Sequence, residues 1–231
     1  MGEWVIENAM KINPRKSKAV SFVRAGVKDS LNYYLGDERM LEVSSCKYLG
    51  IIICSDLSWG DQVNYTVQQA MKALHFIMHI LKKGNSNMKS LAYMPLVHLV
   101  LEYGAACWDP YREGHVNTLD FVQKKAAKFA DHTSDLVWET LAQRSKMAHI
   151  CALFKVYSVK WAWKTTRDRL QGPCYLSPDD HDWKTRSRQQ RTYIGKYSFV
   201  NRTIKLWNQL PAEVLILFPV DHIFLKRGLG K

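Results

Sequence analysis

The chain has no Asp-Asp pair set between two strands, no Cys-x-x-Cys pair and no cysteine–histidine cluster at zinc spacing. The first absence excludes the paired carboxylates with which phosphoryl-transfer enzymes clamp two metal ions. The second excludes a structural zinc module. Asp179-Asp180 is such a pair by letters alone: it follows Ser177-Pro178 and reads as a loop cap or a solvated pair. Cysteine is sparse, five residues at Cys46, Cys54, Cys107, Cys151 and Cys174. An odd number at wide spacing reads as reduced core thiols of an intracellular protein, cytoplasmic, nuclear or both. No internal repeat or low-complexity tract is present. The opening residues lack the apolar region of a secretory signal. The most apolar stretch, Leu91 to Trp108, carries Pro95, His98 and Glu102, so it reads as a buried helix and no membrane partner is expected. Acidic residues are also few: 21 against 33 basic ones, a net charge of +12 in 231 residues. That excess favours polyanionic partners, because lysine and arginine neutralise phosphates and release their counterions. The other reading of the same charge is a basic protein with no nucleic-acid role.

What is present predicts an α+β fold, with a small N-terminal hairpin or sheet followed by a mostly helical body. Residues 2–12 read as a short amphipathic helix stopped by Pro14. Lys18 to Arg24 alternates weakly and is strand-like. Leu31 to Leu35 and Leu41 to Val43 flank a turn-like Gly36-Asp37-Glu38-Arg39, which predicts a hairpin. Lys47 to Cys54 is β-branched and predicts one strand. From Asp61 the apolar residues Val63, Val67, Ala70, Leu74, Ile77, Met78 and Leu81 recur at helical spacing, opposite Gln68, Lys72, His75, His79 and Lys82. Gly84-Asn85 ends that helix. Further helices are predicted from Met88 to near Tyr103, bent at Pro95, from Val116 to Ala130, and within 135–164. Domain boundaries are expected at 1–58, 59–170 and 171–231.

Three blocks carry a family resemblance by their order and separation. Lys47-Tyr48-Leu49-Gly50 precedes Leu57-Ser58-Trp59. Leu101-Glu102-Tyr103-Gly104-Ala105-Ala106-Cys107-Trp108-Asp109-Pro110-Tyr111 comes next, and Trp207-Asn208-Gln209-Leu210-Pro211 last. Together they resemble the C-terminal part of reverse transcriptases from jockey-like non-LTR retrotransposons, over nearly the whole chain. The resemblance implies the end of the palm, a primer-presenting hairpin, a thumb and a basic C-terminal extension. It implies no catalytic residue in this chain, because the family's Tyr-x-Asp-Asp turn would precede it. Magnesium is implied for a complete polymerase and no cofactor for this chain. The implied partners are RNA and DNA, as a template–primer duplex, and the remainder of the polymerase. The chain departs from the family at Arg144-Ser145, where an arginine pair is usual, at Val159 to Trp163, and after Phe224.

The binding residues follow from charge and from that resemblance. Lys16 matches a lysine that follows the catalytic turn. Lys47 and Tyr48 lie in the block that would present a primer end: lysine touches phosphate, tyrosine stacks, and glycine permits close backbone approach. On the thumb-like helix, Lys72, His75 and Lys82 share the basic face. His75 and His79 are four apart, as zinc ligands can be, without a third ligand in view. Lys124, Lys125 and Lys128 share one face of the next helix. Lys184 to Lys205 holds seven basic residues and no acidic one. It supplies Arg186, Arg188, Arg191, Lys196 and Arg202, interleaved with Tyr193, Tyr197 and Phe199 as candidate stacking residues. Each cluster has a plainer reading as a solvated face, and Arg202 as a buried anchor. Glu102, a carboxylate among apolar residues, is expected to pair with a donor such as an arginine. Two alternatives stay open beside the polymerase fragment: a free-standing nucleic-acid-binding or interaction protein derived from such an element, or a non-functional remnant.

Overall fold

Ser45–Tyr48 and the β-branched run Ile51–Cys54, separated by Leu49-Gly50, form the longest strand pair described in this computed structural model. It describes residues 7–8, 13, 16–22, 32–35, 38–130, 139–158, 172, 175, 177, 184–186, 189–211 and 213–214. The predicted helix over 2–12 lies almost wholly outside the described residues, as do Arg188, Cys174, Asp179-Asp180 and Val159 to Trp163. The chain is α+β and divides into two compact units, Met1–Tyr65 and Thr66–Lys231.

Among the described residues, the first unit holds six short strands. They are β1 (Lys18–Ala19), β2 (Tyr34–Leu35), β3 (Glu38–Arg39), β4 (Leu41–Glu42), β5 (Ser45–Tyr48) and β6 (Ile51–Cys54). The expected single strand over Lys47 to Cys54 is corrected to the antiparallel hairpin β5–β6, with Tyr48 opposite Ile51 and Ser45 opposite Cys54. Leu49 and Gly50 both have positive φ, 46° and 82°, as in a type I′ turn, whose twist matches that of its flanking strands. The hairpin expected between Leu31–Leu35 and Leu41–Val43 is also corrected. Tyr34–Leu35 pairs with Glu38–Arg39, so the last two of the four residues expected in the turn are strand. Leu41–Glu42 instead runs parallel to Lys18–Ala19, and Val43 N donates to the Ala19 carbonyl at 2.9 Å.

The helix α1 (Gly60–Ile80) begins in this unit and continues into the second. Buried Gln62 ties its start to the hairpin, accepting from Ile52 N at 2.8 Å through Oε1. Val63, Ala70, Leu74 and Ile77 are buried, while Gln68, Lys72, His75, His79 and Lys82 are exposed, as the spacing predicts.

The second unit continues with α2 (Ser86–Tyr93), a π-helical turn (Met94–His98) and α3 (Leu99–Glu102). Asn85 does not merely end α1. Its side chain caps α2 by accepting from Met88 N at 2.8 Å. Pro95 supplies no amide, and the helix widens there into the π turn. The stretch expected to be fully buried is amphipathic instead: Tyr93, Val97, His98 and Leu101 are buried, whereas Leu91 and Leu99 are exposed. Next come α4 (Glu113–Phe129), α5 (Leu141–Ser158), α6 (Tyr193–Lys196) and α7 (Phe199–Trp207). The core between α5 and α7 is Ile150, Leu153, Phe154, Trp207 and Leu210. Burying side chains of that size gives about 1.5–3 kcal/mol each before entropy is charged against it. Trp207 and Leu210 of the C-terminal block are therefore core residues. Among the described residues, no helix is long and apolar enough to cross a membrane.

Candidate nucleic-acid interface

The corner between α6 and α7 is built by Gly195. Thr192 caps α6 by accepting from Gly195 N at 3.2 Å. The Gly195 carbonyl accepts from Ser198 Oγ at 2.8 Å and from Asn201 Nδ2 at 2.6 Å. A Cβ at Gly195 would meet Gln190 Oε1 at 2.7 Å, so the position is closed to larger residues unless that side chain moves. The corner sets Tyr193 and Tyr197 four residues apart on one side. Their rings are nearly parallel, 13° apart with centroids 6.3 Å apart. Tyr197 also stacks on Tyr111, at 4.3 Å and 5°. An open cleft of about 310 Å³ adjoins them, lined in part by Tyr111, Tyr197, Lys196, Arg202 and Lys205.

Lys196 and Lys205 line that cleft, and further basic residues flank the tyrosines in sequence. Arg186, Arg191, Lys196 and Lys205 are exposed, and Lys196 Nζ lies 5.6 Å from the Tyr197 centroid. The Asn208 side chain fixes the backbone before Arg186: it accepts from Thr185 N at 3.0 Å and donates to the Thr185 carbonyl at 2.8 Å.

Arg202 is placed differently from its basic neighbours. Its Nη1 donates to the Asp109 carbonyl at 3.0 Å, and its Nη2 pairs with the Asp109 carboxylate. The guanidinium is thereby occupied, and Arg202 is the anchor that the sequence left as one of two roles. Buried His149 sits beside the pair, donating through Nε2 to the Ala105 carbonyl at 3.0 Å, 3.9 Å from Asp109 Oδ2. Burial is the main force lowering the His149 pKa and raising that of Asp109, and Arg202 opposes the latter. Phe199, expected as a stacking residue, packs edge-on against His149 at 5.1 Å. Its ring is committed to the interior contact.

The remaining candidates fall into separate groups. In the first unit, Lys16 is exposed in a tight turn closed by its own amide donating to the Asn13 carbonyl at 3.1 Å. Lys47 Nζ donates to Tyr65 Oη at 2.7 Å, while Tyr48 is 63% exposed at the hairpin tip. In the second unit, Lys72, Lys82, Lys124 and Lys128 are exposed. Lys125 is half-buried and its Nζ donates to His75 Nε2 at 2.9 Å. The expected three-lysine face is thus two free lysines and one engaged with α1. The same contact uses one of the two ring nitrogens through which His75 could reach zinc.

Glu102 pairs as expected, with Arg144 Nη1 at 3.1 Å and His98 Nε2 at 3.2 Å. Arg144 also reaches Glu139 through Nε at 3.2 Å. Among the described residues, no three His, Cys, Asp or Glu side chains come together to hold a metal ion. Asp56 accepts from Ser58 N, and Asp61 from the Cys54 thiol. No family model, curated protein or solved structure matches the chain.

Proposed function

We propose that this chain is a non-catalytic part of a retrotransposon RNA-directed DNA polymerase that grips nucleic acid, namely the template–primer duplex. The observation that carries the reading is the contact between Lys125 and His75. It sets α1, which bears Lys72 and is followed by the turn that bears Lys82, beside α4, which bears Lys124 and Lys128, so cations of both elements belong to one body. A phosphate backbone is positioned by such a surface without being read for sequence. The three-block resemblance supplies the polymerase context: a primer-presenting hairpin, a thumb and a basic extension, acting inside the cell, in cytoplasm or nucleus, with the catalytic half elsewhere.

Binding of an RNA–DNA hybrid by the purified chain, followed by fluorescence anisotropy across a salt series, tests the reading. Affinity falling steeply with salt supports it; undetectable or salt-independent affinity removes it. Deoxynucleotide incorporation by the chain with magnesium would overturn the non-catalytic part. The tyrosine stack favours a second reading, a free-standing nucleic-acid-binding protein derived from such an element. Loss of RNA affinity on changing Arg186, Arg188 and Arg191 together to Ala is expected under it.

A further inference from the structure

From the rings at the α6–α7 corner we infer a separate site for single-stranded RNA or DNA, in which an unpaired base stacks on Tyr193 while Lys196, Arg191 and Lys205 hold the flanking phosphates. This deepens, and rests on, the nucleic-acid reading above. Tyr193 is 73% exposed, yet its ring is held nearly parallel to that of Tyr197, which is itself stacked on Tyr111. A tyrosine placed to fill a core would be covered; one left to solvent would ordinarily be free to rotate. Tyr193 is neither: it is an open aromatic surface aligned with a fixed pair.

Aligned rings suit a flat ligand, and the cations around them select an anionic one. Nucleotides meet both demands, since every base offers a π-face and every linkage a charge. A base within a duplex is already stacked on its neighbours and cannot meet an outside ring. The occupant is therefore an unpaired strand. Arg202 takes no part, because Asp109 occupies it. Recognition by stacking and charge tolerates any sequence, since every base has a π-face.

The test uses the full chain, a dye-labelled single-stranded dodecamer as RNA and as DNA, the RNA–DNA hybrid, and a dodecamer with abasic sites at its centre. Tyr193→Ala is expected to weaken single-strand binding about tenfold, as loss of one stacked base does, and to leave hybrid binding unchanged. Tyr193→Trp is expected to retain single-strand affinity. The abasic strand is expected to bind wild type as weakly as the intact strand binds Tyr193→Ala. Unchanged single-strand affinity in Tyr193→Ala would overturn the inference while hybrid binding kept the wider reading intact. Equal losses for single strand and hybrid would also overturn it, by making Tyr193 part of the duplex surface. No binding of any of the probes would remove both. Unchanged circular dichroism separates these results from misfolding.

Discussion

Arg202 on α7 and Asp109, in the block after α3, form a charge pair across 93 positions of sequence, reinforced by a second bond to the Asp109 carbonyl. The guanidinium thus ties α7 to the Leu101–Tyr111 block. Truncating Arg202 to Ala leaves a largely buried carboxylate without its partner. A fully buried pair loses about 3–5 kcal/mol in that event, and partial exposure of both side chains here lowers the expectation to about 2–3 kcal/mol. Urea denaturation checks it. The double change Arg202→Met with Asp109→Leu is expected to recover most of the loss; failure to recover would mean that the carbonyl bond, rather than the charge pair, matters.

His149 gives the same region a pH dependence. Burial holds its pKa below the ordinary 6.5. Between the folded value and 6.5 the unfolded chain binds a proton that the folded chain does not. Stability therefore falls as pH drops through about 6.5. Asp109 works in the opposite sense, since burial raises it above its ordinary 3.8. Comparing wild type with His149→Gln isolates the histidine: the decline in melting temperature from pH 7.5 to 5.5 is expected to flatten in the variant. Parallel curves would assign the decline to other groups.

Phosphate contact by α4 predicts a change in salt dependence rather than in sequence preference. Lys124→Ala and Lys128→Ala are each expected to weaken hybrid binding uniformly across sequences. Each is expected to reduce the slope of log affinity against log salt by about one. A weaker affinity with an unchanged slope would argue that these lysines act through the fold.

The parts of this architecture that were legible in sequence are those written in local repeats. The apolar face of α1 follows from residues three and four apart, and Pro95 marked the irregular turn before α3 because proline removes an amide wherever it stands. The hairpin at Lys47 to Cys54 was not legible as such. Leu-Gly is an unusual type I′ turn, and the β-branched residues of the run all lie on its far side. Among the candidate binding residues, exposure of Lys72, Lys82, Lys124 and Lys128 follows from helical spacing. The engagement of Arg202 by Asp109, of Lys125 by His75 and of Phe199 by His149 does not, because each partner lies on a different element. Tyr111 joining Tyr197 was invisible for the same reason. The role of Asn208 had at most a weak signal, a side chain able both to donate and to accept within an otherwise apolar block.

Thiol chemistry separates the cysteines. Cys54 is buried and donates to Asp61 Oδ2 at 3.5 Å; burial first, then Asp61, pushes its pKa up to about 11. Its thiolate fraction at pH 8 is on the order of one in a thousand. Cys107 is exposed, contrary to the expectation of core thiols throughout. Timed alkylation with mass-spectrometric mapping is expected, among the four described cysteines, to label Cys107 first and Cys54 last in the folded chain. Early labelling of Cys54 would mean that the hairpin opens readily.

Leu49 adopts a left-handed backbone with its side chain 73% exposed. A leucine held so costs about 1–2 kcal/mol, a conformation asparagine visits more readily. Leu49→Asn is expected to raise stability by about 1 kcal/mol, measured by thermal melting. A loss would show that the leucine side chain makes a contact worth more than the strain.

The parallel register of Lys18 with Leu41 and Ala19 with Glu42 bears on how the first unit tolerates changes of length. Parallel neighbours cannot be joined by a tight turn, because the chain must travel back before it can run beside itself again. The β2–β3 hairpin lies on that return path. Shortening it would slacken or strain the β1–β4 pairing from a distance. The β5–β6 hairpin has no such dependence: its strands, turn and register all lie between Ser45 and Cys54. Within this small unit, one pair is bound to the length of the chain around it, and the other can be moved as a piece.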